Sequence, residues 1–169
     1  MAGRMRDAAE TRRKLLAAAE AVFIEHGFDG ARVDDIAARA GVNKRMIYEY
    51  YGNKEELYFR VLKVNYDRVF EAERTVIRQS PNAEAALLDG FRRYFEFLAE
   101  HPGFIRLVGQ EQMSRTPRAS EEIRGLADMG LGNLTPILAQ GIRDGTFRED
   151  LDLRLVLASI ASLCMGIFQ

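Results

Sequence analysis

The chain has 169 residues, a formal net charge of −1, and a hydrophobic content of 47%. This length and content suffice for a packed core, either in one medium domain or in a small domain joined to a larger one. The near-neutral charge excludes a generally basic nucleic-acid coat protein, so any contact with DNA must come from locally placed basic residues.

The sequence shows few signs of export or of catalysis. A single cysteine, Cys164, cannot form an intramolecular disulfide and suits a reducing compartment. The polar N-terminus does not resemble a signal peptide, and the apolar stretch 155–168 is too short to cross a bilayer. Metal-ligand spacing, phosphate-binding glycine loops and nucleophile elbows are not found. We therefore expect a cytoplasmic protein without membrane contact, cofactor, metal or catalytic residues.

Helix signals run through the whole chain. Asp7 with Glu10 resembles a capping box, and it predicts a first helix that ends at Gly27. The residues that this helix turns inward are Leu15, Ala19, Val22 and Phe23. A second helix is expected over 33–40. Arg32 stands at its cap position, where it offers no good capping side chain.

A glycine turn follows the second helix. Gly41 favours the left-handed conformation that ends a helix, and Asn43 is a good N-cap for a third helix that buries Ile47 and Tyr51. Helix, short glycine turn and second helix form the helix-turn-helix pattern, whose second helix can enter the major groove of DNA.

The outer side of this third helix carries the informative residues. Helical geometry places Arg45, Met46 and Glu49 opposite the buried side, with Tyr48 and Tyr50 on the flanks. Cations are unfavourable in the first turn of a helix, so Lys44 and Arg45 indicate an anionic partner. The alternative is an ordinary solvated face, since basic surface clusters are common.

The remaining two-thirds also predicts helices only. Asn53 with Glu56 opens a long helix to about residue 78, and Pro81 is expected at the first position of a helix that ends at Glu100. A shorter helix should cover 104–113, and another should run from Thr116-Pro117 to about 144 with a kink at Pro136. Gly145 predicts a turn, and Asp152 a cap for the last helix. The fold class is therefore all-α.

Residues 27–57, GFDGARVDDIAARAGVNKRMIYEYYGNKEEL, resemble the DNA-binding segment of the TetR family of bacterial transcriptional repressors. The shared features are the glycine-aromatic pair, I-A-x-x-A-G-V at the turn, the aliphatic-Tyr-x-aromatic-aromatic helix and K-E-x-L. The resemblance implies a three-helix helix-turn-helix domain at 1–52, followed by a larger helical ligand-binding and dimerisation domain at 53–169. The chain ends about where the family's final helix would begin, so we expect either that this helix is missing or that the dimer bundle is built differently.

The resemblance also implies a function. It predicts a ligand-responsive regulator, a repressor, that binds a palindromic double-stranded DNA operator as a homodimer and is released by a small-molecule effector. The positions matching the family's DNA contacts are Arg32, Asn43, Lys44, Arg45, Met46, Tyr48, Tyr50 and Lys54. Arg32 replaces a small hydroxyl residue there, so it would contact phosphate by charge while the helix cap is lost.

Two further sets of residues follow from the same resemblance. The candidate ligand chamber comprises Tyr66, Phe70, Phe91, Tyr94, Phe95, Phe104, Met113 and Met129, with Gln110 and Glu111 as polar anchors. Aromatic and Met residues at helical spacing are also common in ordinary cores. The candidate dimerisation residues are Leu155, Ala158, Ser159, Ser162 and Gly166, whose small side chains would let helices approach closely. Tight packing within the monomer is the alternative for this set.

Two other functional classes stay open. One is a helical protein-binding adaptor, which would leave Lys44, Arg45, Tyr48 and Lys54 clustered without a purpose. The other is a small-molecule-binding enzyme without a DNA role, which would need a general base such as Glu111 near Tyr94.

Overall fold

A computed structural model describes residues 2–113, 125–126, 132 and 134–168. The helices with defined bounds are α1 (Ala2–Gly30), α2 (Val33–Ala40), α3 (Arg45–Tyr51), α4 (Lys54–Ile77), α5 (Ala83–Glu100), α6 (Pro102–Met113) and α8 (Leu153–Phe168). A further helical run at 134–143 is called α7. The described ranges contain no β-strand, and the predicted all-α class is confirmed. None of the described helices has the length and apolar character needed to cross a membrane.

The chain divides into two compact units. Unit 1 consists of Met1–Val64 and Arg106–Ser120, and unit 2 of Asn65–Ile105 and Glu121–Gln169. The division predicted from the sequence, into a DNA-binding domain at 1–52 and a ligand-binding and dimerisation domain at 53–169, concerns function and stays a prediction.

Unit 1 is built around a fully buried apolar core. The buried residues contributed by α1 to α4 include Leu15, Ala19, Phe23, Ile36, Ile47 and Leu57, each with 0% of its surface exposed. Gly27, with φ 68° and ψ 177°, interrupts α1 at the predicted position. The Phe28 ring beyond this break lies 6.3 Å from that of Phe23, and both rings contact Tyr58. The break thus lets an aromatic side chain cover the end of the core.

Short-range signals set most helix ends. Gly41 ends α2 with φ 67°, and the N–H of Val42 donates to the Ala37 carbonyl at 3.1 Å. The Asn53 side chain accepts from the Glu56 N–H at 2.8 Å, and Asp152 accepts from the Leu155 N–H at 3.1 Å. The predicted caps of α4 and α8 are therefore confirmed.

Three predicted helix starts were wrong. Helix α6 begins at Pro102 rather than at residue 104. Helix α1 begins at Ala2, so Asp7 lies inside the helix, where its carbonyl accepts from the Thr11 hydroxyl at 2.7 Å. Helix α5 begins at Ala83 rather than at Pro81, because the Asn82 side chain accepts from the Ala85 N–H at 2.9 Å and acts as the cap. The start predicted at Thr116-Pro117 lies outside the described residues. The kink predicted at Pro136 stays a prediction, because residue 133, in the turn before this proline, is also outside them.

Unit 2 is held together by close helix contacts. Gly90 of α5 lies where an added Cβ would be 3.3 Å from Ile77 of α4 and 3.9 Å from Leu134 of α7. At the end of α7 the Phe147 ring lies over Gly141, whose carbonyl accepts from the N–H groups of Thr146 and Phe147. Only glycine fits at position 141, because any side chain there would overlap the ring.

The burial of Glu73 in α4 is expected to make the stability of the protein depend on pH. Burial raises the pKa of this carboxyl group from 4.5 to about 7. Between these values the native state keeps a proton that the unfolded chain releases, so the free energy of unfolding falls as the pH rises from 4.5 to 7. Glu73→Gln should remove this fall and stabilise the protein at pH 8 by up to roughly 3 kcal/mol.

Urea unfolding between pH 5 and pH 8 measures the effect. Glu71→Gln, which alters an exposed carboxylate on the same helix, is the matched control and should leave the pH dependence unchanged. An equal pH slope for Glu73→Gln and the wild type would show that Glu73 is not the group responsible.

Candidate nucleic-acid interface

Helix α3 presents one buried side and one exposed side. Ile47 is fully buried and fixes the helix to unit 1, while Tyr51 is half-buried rather than buried as predicted. Lys44, Arg45 and Glu49 are exposed, as is Tyr48 with 51% of its surface accessible. Met46 and Tyr50 are half-buried at the edges of this surface. The side chains expected to face outward therefore include three that donate hydrogen bonds, namely Lys44, Arg45 and Tyr48.

Asn43 organises the start of α3. Its side-chain oxygen accepts from the Arg45 N–H at 2.8 Å, and its carbonyl accepts from the Met46 N–H at 2.9 Å. The N-cap of α3 is Lys44, whose side chain makes no capping hydrogen bond, so the prediction of Asn43 as the N-cap was one residue early, although the Asn43 side chain does satisfy a donor of the first turn. The Arg45 backbone is fixed by this bond while its guanidinium stays in solvent.

Lys44 is paired within the unit. Its Nζ lies 2.9 Å from Oδ1 of Asp34, in the first turn of α2. The hydrogen bond to Asp34, followed by the charge of that carboxylate, raises the pKa of Lys44. Lys44 is therefore a fully charged group that already holds one anion in the free protein.

Helix α1 supports the end of α3 through Arg12. The Tyr51 hydroxyl donates to the Arg12 carbonyl at 3.0 Å, and the Arg12 guanidinium lies 4.8 Å above the centre of the Tyr50 ring. Partial burial raises the pKa of Tyr51, against the opposing charges of Arg12 and Arg60. The contacts of Arg12 with α3 were not predicted from the sequence, because helical periodicity does not show which side chains of α1 face α3.

Lys54 opens α4 beside an aromatic ring. Its Nζ lies 4.6 Å above the centre of Phe28, and burial lowers its pKa while the charge of Asp29 acts in the opposite direction. Arg32 is exposed at the residue before α2, with an extended backbone and no capping hydrogen bond from its side chain. All eight predicted DNA-contact positions lie in unit 1. Among them, Lys54 is a cation whose charged group lies over an aromatic ring of the same unit.

The predicted ligand-chamber residues are divided between the two units. The Tyr66 ring lies 5.3 Å from Phe104 and 5.8 Å from Phe70, and Phe97, which the sequence analysis left out, lies 5.8 Å from Phe104. We call Tyr66, Phe70, Phe97 and Phe104 the aromatic cluster of unit 2. Of the other candidates in this unit, Phe91 and Tyr94 are half-buried and Phe95 is exposed.

Gln110 belongs to unit 1, whereas the aromatic cluster belongs to unit 2. Its side chain is about van der Waals distance from the position that a Cβ on Gly27 would occupy. Its Oε1 is buried and has no hydrogen-bond partner among the described residues. Met129 and the side chains of Glu111 and Met113 lie outside the described residues. Within the described ranges no three His, Cys, Asp or Glu side chains are grouped so that they could hold a metal ion.

Helix α8 has an exposed apolar face. Leu155, Leu163 and Ile167 expose 65%, 68% and 66% of their surfaces. The other predicted dimerisation residues, Ala158, Ser159, Ser162 and Gly166, are also exposed. Leu163 flanks the predicted small residues, whereas Ile167 was not predicted, although it follows Leu163 by four residues and therefore lies on the same side of the helix. An exposed apolar face of this kind is typical of a surface that binds another protein chain.

Comparison with known proteins adds sequence and structural relatives. Residues 15–61 match the model of bacterial regulatory proteins of the tetR family, and residues 84–169 match that of the tetracyclin repressor-like C-terminal domain. The HTH-type transcriptional repressor NicS of Pseudomonas putida is 34% identical over 163 residues, covering 95% of this chain and 77% of NicS. The HTH-type transcriptional repressor KstR2 of Mycobacterium tuberculosis is 31% identical, covering 86% of this chain and 73% of KstR2.

Solved structures agree with this pattern. The transcriptional regulator FadR from Bacillus subtilis, determined in complex with stearoyl-CoA, superposes with a TM-score of 0.83 at 25% identity. The superposition covers 93% of this chain and 84% of the FadR chain.

Proposed function

The chain belongs to the tetR family of bacterial regulatory proteins and is a ligand-responsive transcriptional regulator, and from that premise we propose that it represses transcription by binding a palindromic operator as a homodimer. The observation that carries this proposal is the surface of α3, where Arg45 and Tyr48 are exposed on a helix anchored by the buried Ile47, with Lys44 exposed at the residue before the helix. We assign DNA binding to residues 1–52, and effector binding with dimerisation to residues 53–169.

Each DNA-facing residue has a proposed role. Arg45, exposed in the first turn of α3, would pair with a guanine through two hydrogen bonds. Arg32 and Lys54 would contact phosphates, which supplies affinity without sequence preference. The family resemblance implies a base-facing position for Lys44, but we propose a phosphate contact for it as well, because its ammonium already holds the Asp34 carboxylate. The remaining set, Asn43, Met46, Tyr48 and Tyr50, would contact backbone or base edges at the rim. Recognition of the operator's base sequence therefore depends on α3, and the orientation of the protein on the duplex depends on the residues around this helix.

A second copy of the chain is proposed on the exposed face of α8. One helix-turn-helix reads few base pairs, and two related by a two-fold axis read a palindrome whose half-sites lie about one helical turn apart. Leu155, Leu163 and Ile167 supply the apolar surface, and the small residues between them allow close helix approach.

The effector is proposed to be apolar or weakly polar. The aromatic cluster of unit 2 offers ring surfaces from α4, α5 and α6, which suits a lipophilic molecule. The FadR structure supports this class, since that regulator has a similar fold and was determined in complex with stearoyl-CoA. Effector binding would favour a geometry in which the two recognition helices no longer match the operator spacing.

Binding to DNA from upstream of the protein's own gene tests the function. Fluorescence anisotropy at physiological salt should show about 10³-fold tighter binding to this DNA than to random duplex of equal length. Effectors are then found as molecules that raise the melting temperature and release this complex. Equal affinity for upstream and random DNA would contradict the assignment as a sequence-specific repressor.

A further inference from the structure

We propose that Asp34 is an intramolecular competitor of the DNA phosphates: it holds Lys44 in the free protein and thereby limits the affinity for DNA of any sequence. The proposal rests on the proposed DNA-binding function. The observation that carries it is the ion pair between Lys44 Nζ and Asp34 Oδ1 at 2.9 Å. This pair joins the first turn of α2 to the residue before α3, across the turn of the helix-turn-helix motif.

The pair contributes little to folding. Both side chains are exposed, at 58% for Lys44 and 71% for Asp34, and ion pairs between exposed side chains add little to the stability of the fold. Asp34 already interacts favourably with the dipole at the N-terminus of α2, whereas Lys44 stands unfavourably at the N-terminus of α3. The clearest effect of the pair is electrostatic, because it neutralises one cation on the surface proposed to bind DNA.

Binding DNA then requires an exchange of partners. Lys44 must leave the Asp34 carboxylate to contact a phosphate, and the freed carboxylate stays close to the anionic duplex. Both effects oppose binding, and neither depends on the bases that are present. Asp34 should therefore lower the affinity for operator and random DNA by a similar factor. A residue that read a base would instead change the ratio of the two affinities.

The test is Asp34→Asn in the full chain, with operator and random duplexes titrated at several salt concentrations. The variant should bind both duplexes roughly three- to tenfold more tightly, and the slope of log K against log salt should steepen by up to about 0.9. Asp35 stays in the first turn of α2, and a melting curve checks that the variant is folded.

Glu25→Gln is the matched control. It also removes one negative charge from an exposed ion pair of unit 1, in which Arg39 Nη1 lies 2.7 Å and 2.8 Å from the two Glu25 oxygens. Arg39 is not among the proposed DNA contacts, so Glu25→Gln should change the affinity by less than about twofold. Equal effects of the two variants would mean that net charge, rather than the pair with Lys44, limits binding.

A double variant identifies the route. In a Lys44→Ala background, Asp34→Asn should lose the part of its effect that comes from competition for Lys44 and keep only the smaller part that comes from repulsion between the Asp34 carboxylate and the phosphates, so its gain in affinity should be clearly smaller than in the wild type. Weaker binding of Asp34→Asn to the operator alone would overturn the proposal and make Asp34 a base contact. Unchanged affinity of Asp34→Asn, beside normal operator preference of the wild type, would overturn this proposal only. No operator preference in the wild type would overturn the proposed function and this inference together.

Discussion

Leu163→Glu in α8 is expected to make the protein monomeric and to lower its affinity for a full palindromic operator by about 10²-fold or more. Leu163 exposes 68% of its surface in the structure, so a carboxylate there is solvated in the isolated protomer and should leave its fold intact. In the proposed dimer the same carboxylate would be buried between two apolar helices, where an unpaired charge is strongly unfavourable. The two helix-turn-helix motifs would then bind independently.

Sedimentation equilibrium measures the dimer, and anisotropy on full and half operators measures the consequence. Leu88→Glu is the control, since Leu88 is also an exposed leucine of unit 2 but lies on α5. It should leave both dimerisation and operator binding near wild type. Half-site affinity should be the same in all three proteins. A Leu163→Glu protein that dimerises as tightly as the wild type would place the interface elsewhere.

Local signals predicted most of the fold because their causes lie within five residues of the helix end. Gly41 ends α2 through its own positive φ, and Asn53 caps α4 through a hydrogen bond to Glu56. Where two local signals competed, the prediction was wrong. At α5, Pro81 favours a helix start at its own position, but Asn82 is a good cap and the helix begins after it. At α1, the helix-forming residues around Asp7 outweigh the capping tendency of Asp7.

The exposed side of α3 was predictable for a related reason. Once Ile47 is assigned to the core, helical periodicity fixes which residues face solvent. The contacts between helices were not predictable in this way. The pairing of Lys44 with Asp34, and of Tyr50 with Arg12, depends on how α1 and α2 pack against α3.

Gln110 shows the same limit over a longer distance in the chain. The sequence placed it with the aromatic residues because it follows Phe104 in an apolar run. In the structure it lies beside Gly27 in unit 1. Only the part of α6 from Arg106 onward belongs to that unit. Periodicity shows which side of a helix is buried, but it does not show which neighbouring helix covers that side.

Arg45→Ala and Lys54→Ala are expected to weaken DNA binding in two different ways. Arg45 is exposed in the first turn of α3, so its loss should remove roughly 1–3 kcal/mol of discrimination at one or two base positions and change binding to random DNA much less. Lys54 is proposed to hold a phosphate, so its loss should weaken binding to every sequence and reduce the salt slope by about one. The measurements are affinities for the operator, for single-base variants of it and for random DNA, each at several salt concentrations.

Two additional variants separate charge from packing. In the wild type, Lys54 Nζ lies 4.6 Å from the centre of the Phe28 ring. Lys54→Met keeps an unbranched apolar side chain over this ring and removes only the charge. It should therefore weaken DNA binding as much as Lys54→Ala does. Arg106→Ala removes an exposed arginine of unit 1 that is not a proposed contact, and it should leave both affinity and salt slope unchanged. If Arg45→Ala and Lys54→Ala instead lost equal affinity for operator and random DNA, the division into a base-reading and a phosphate-binding residue would be wrong.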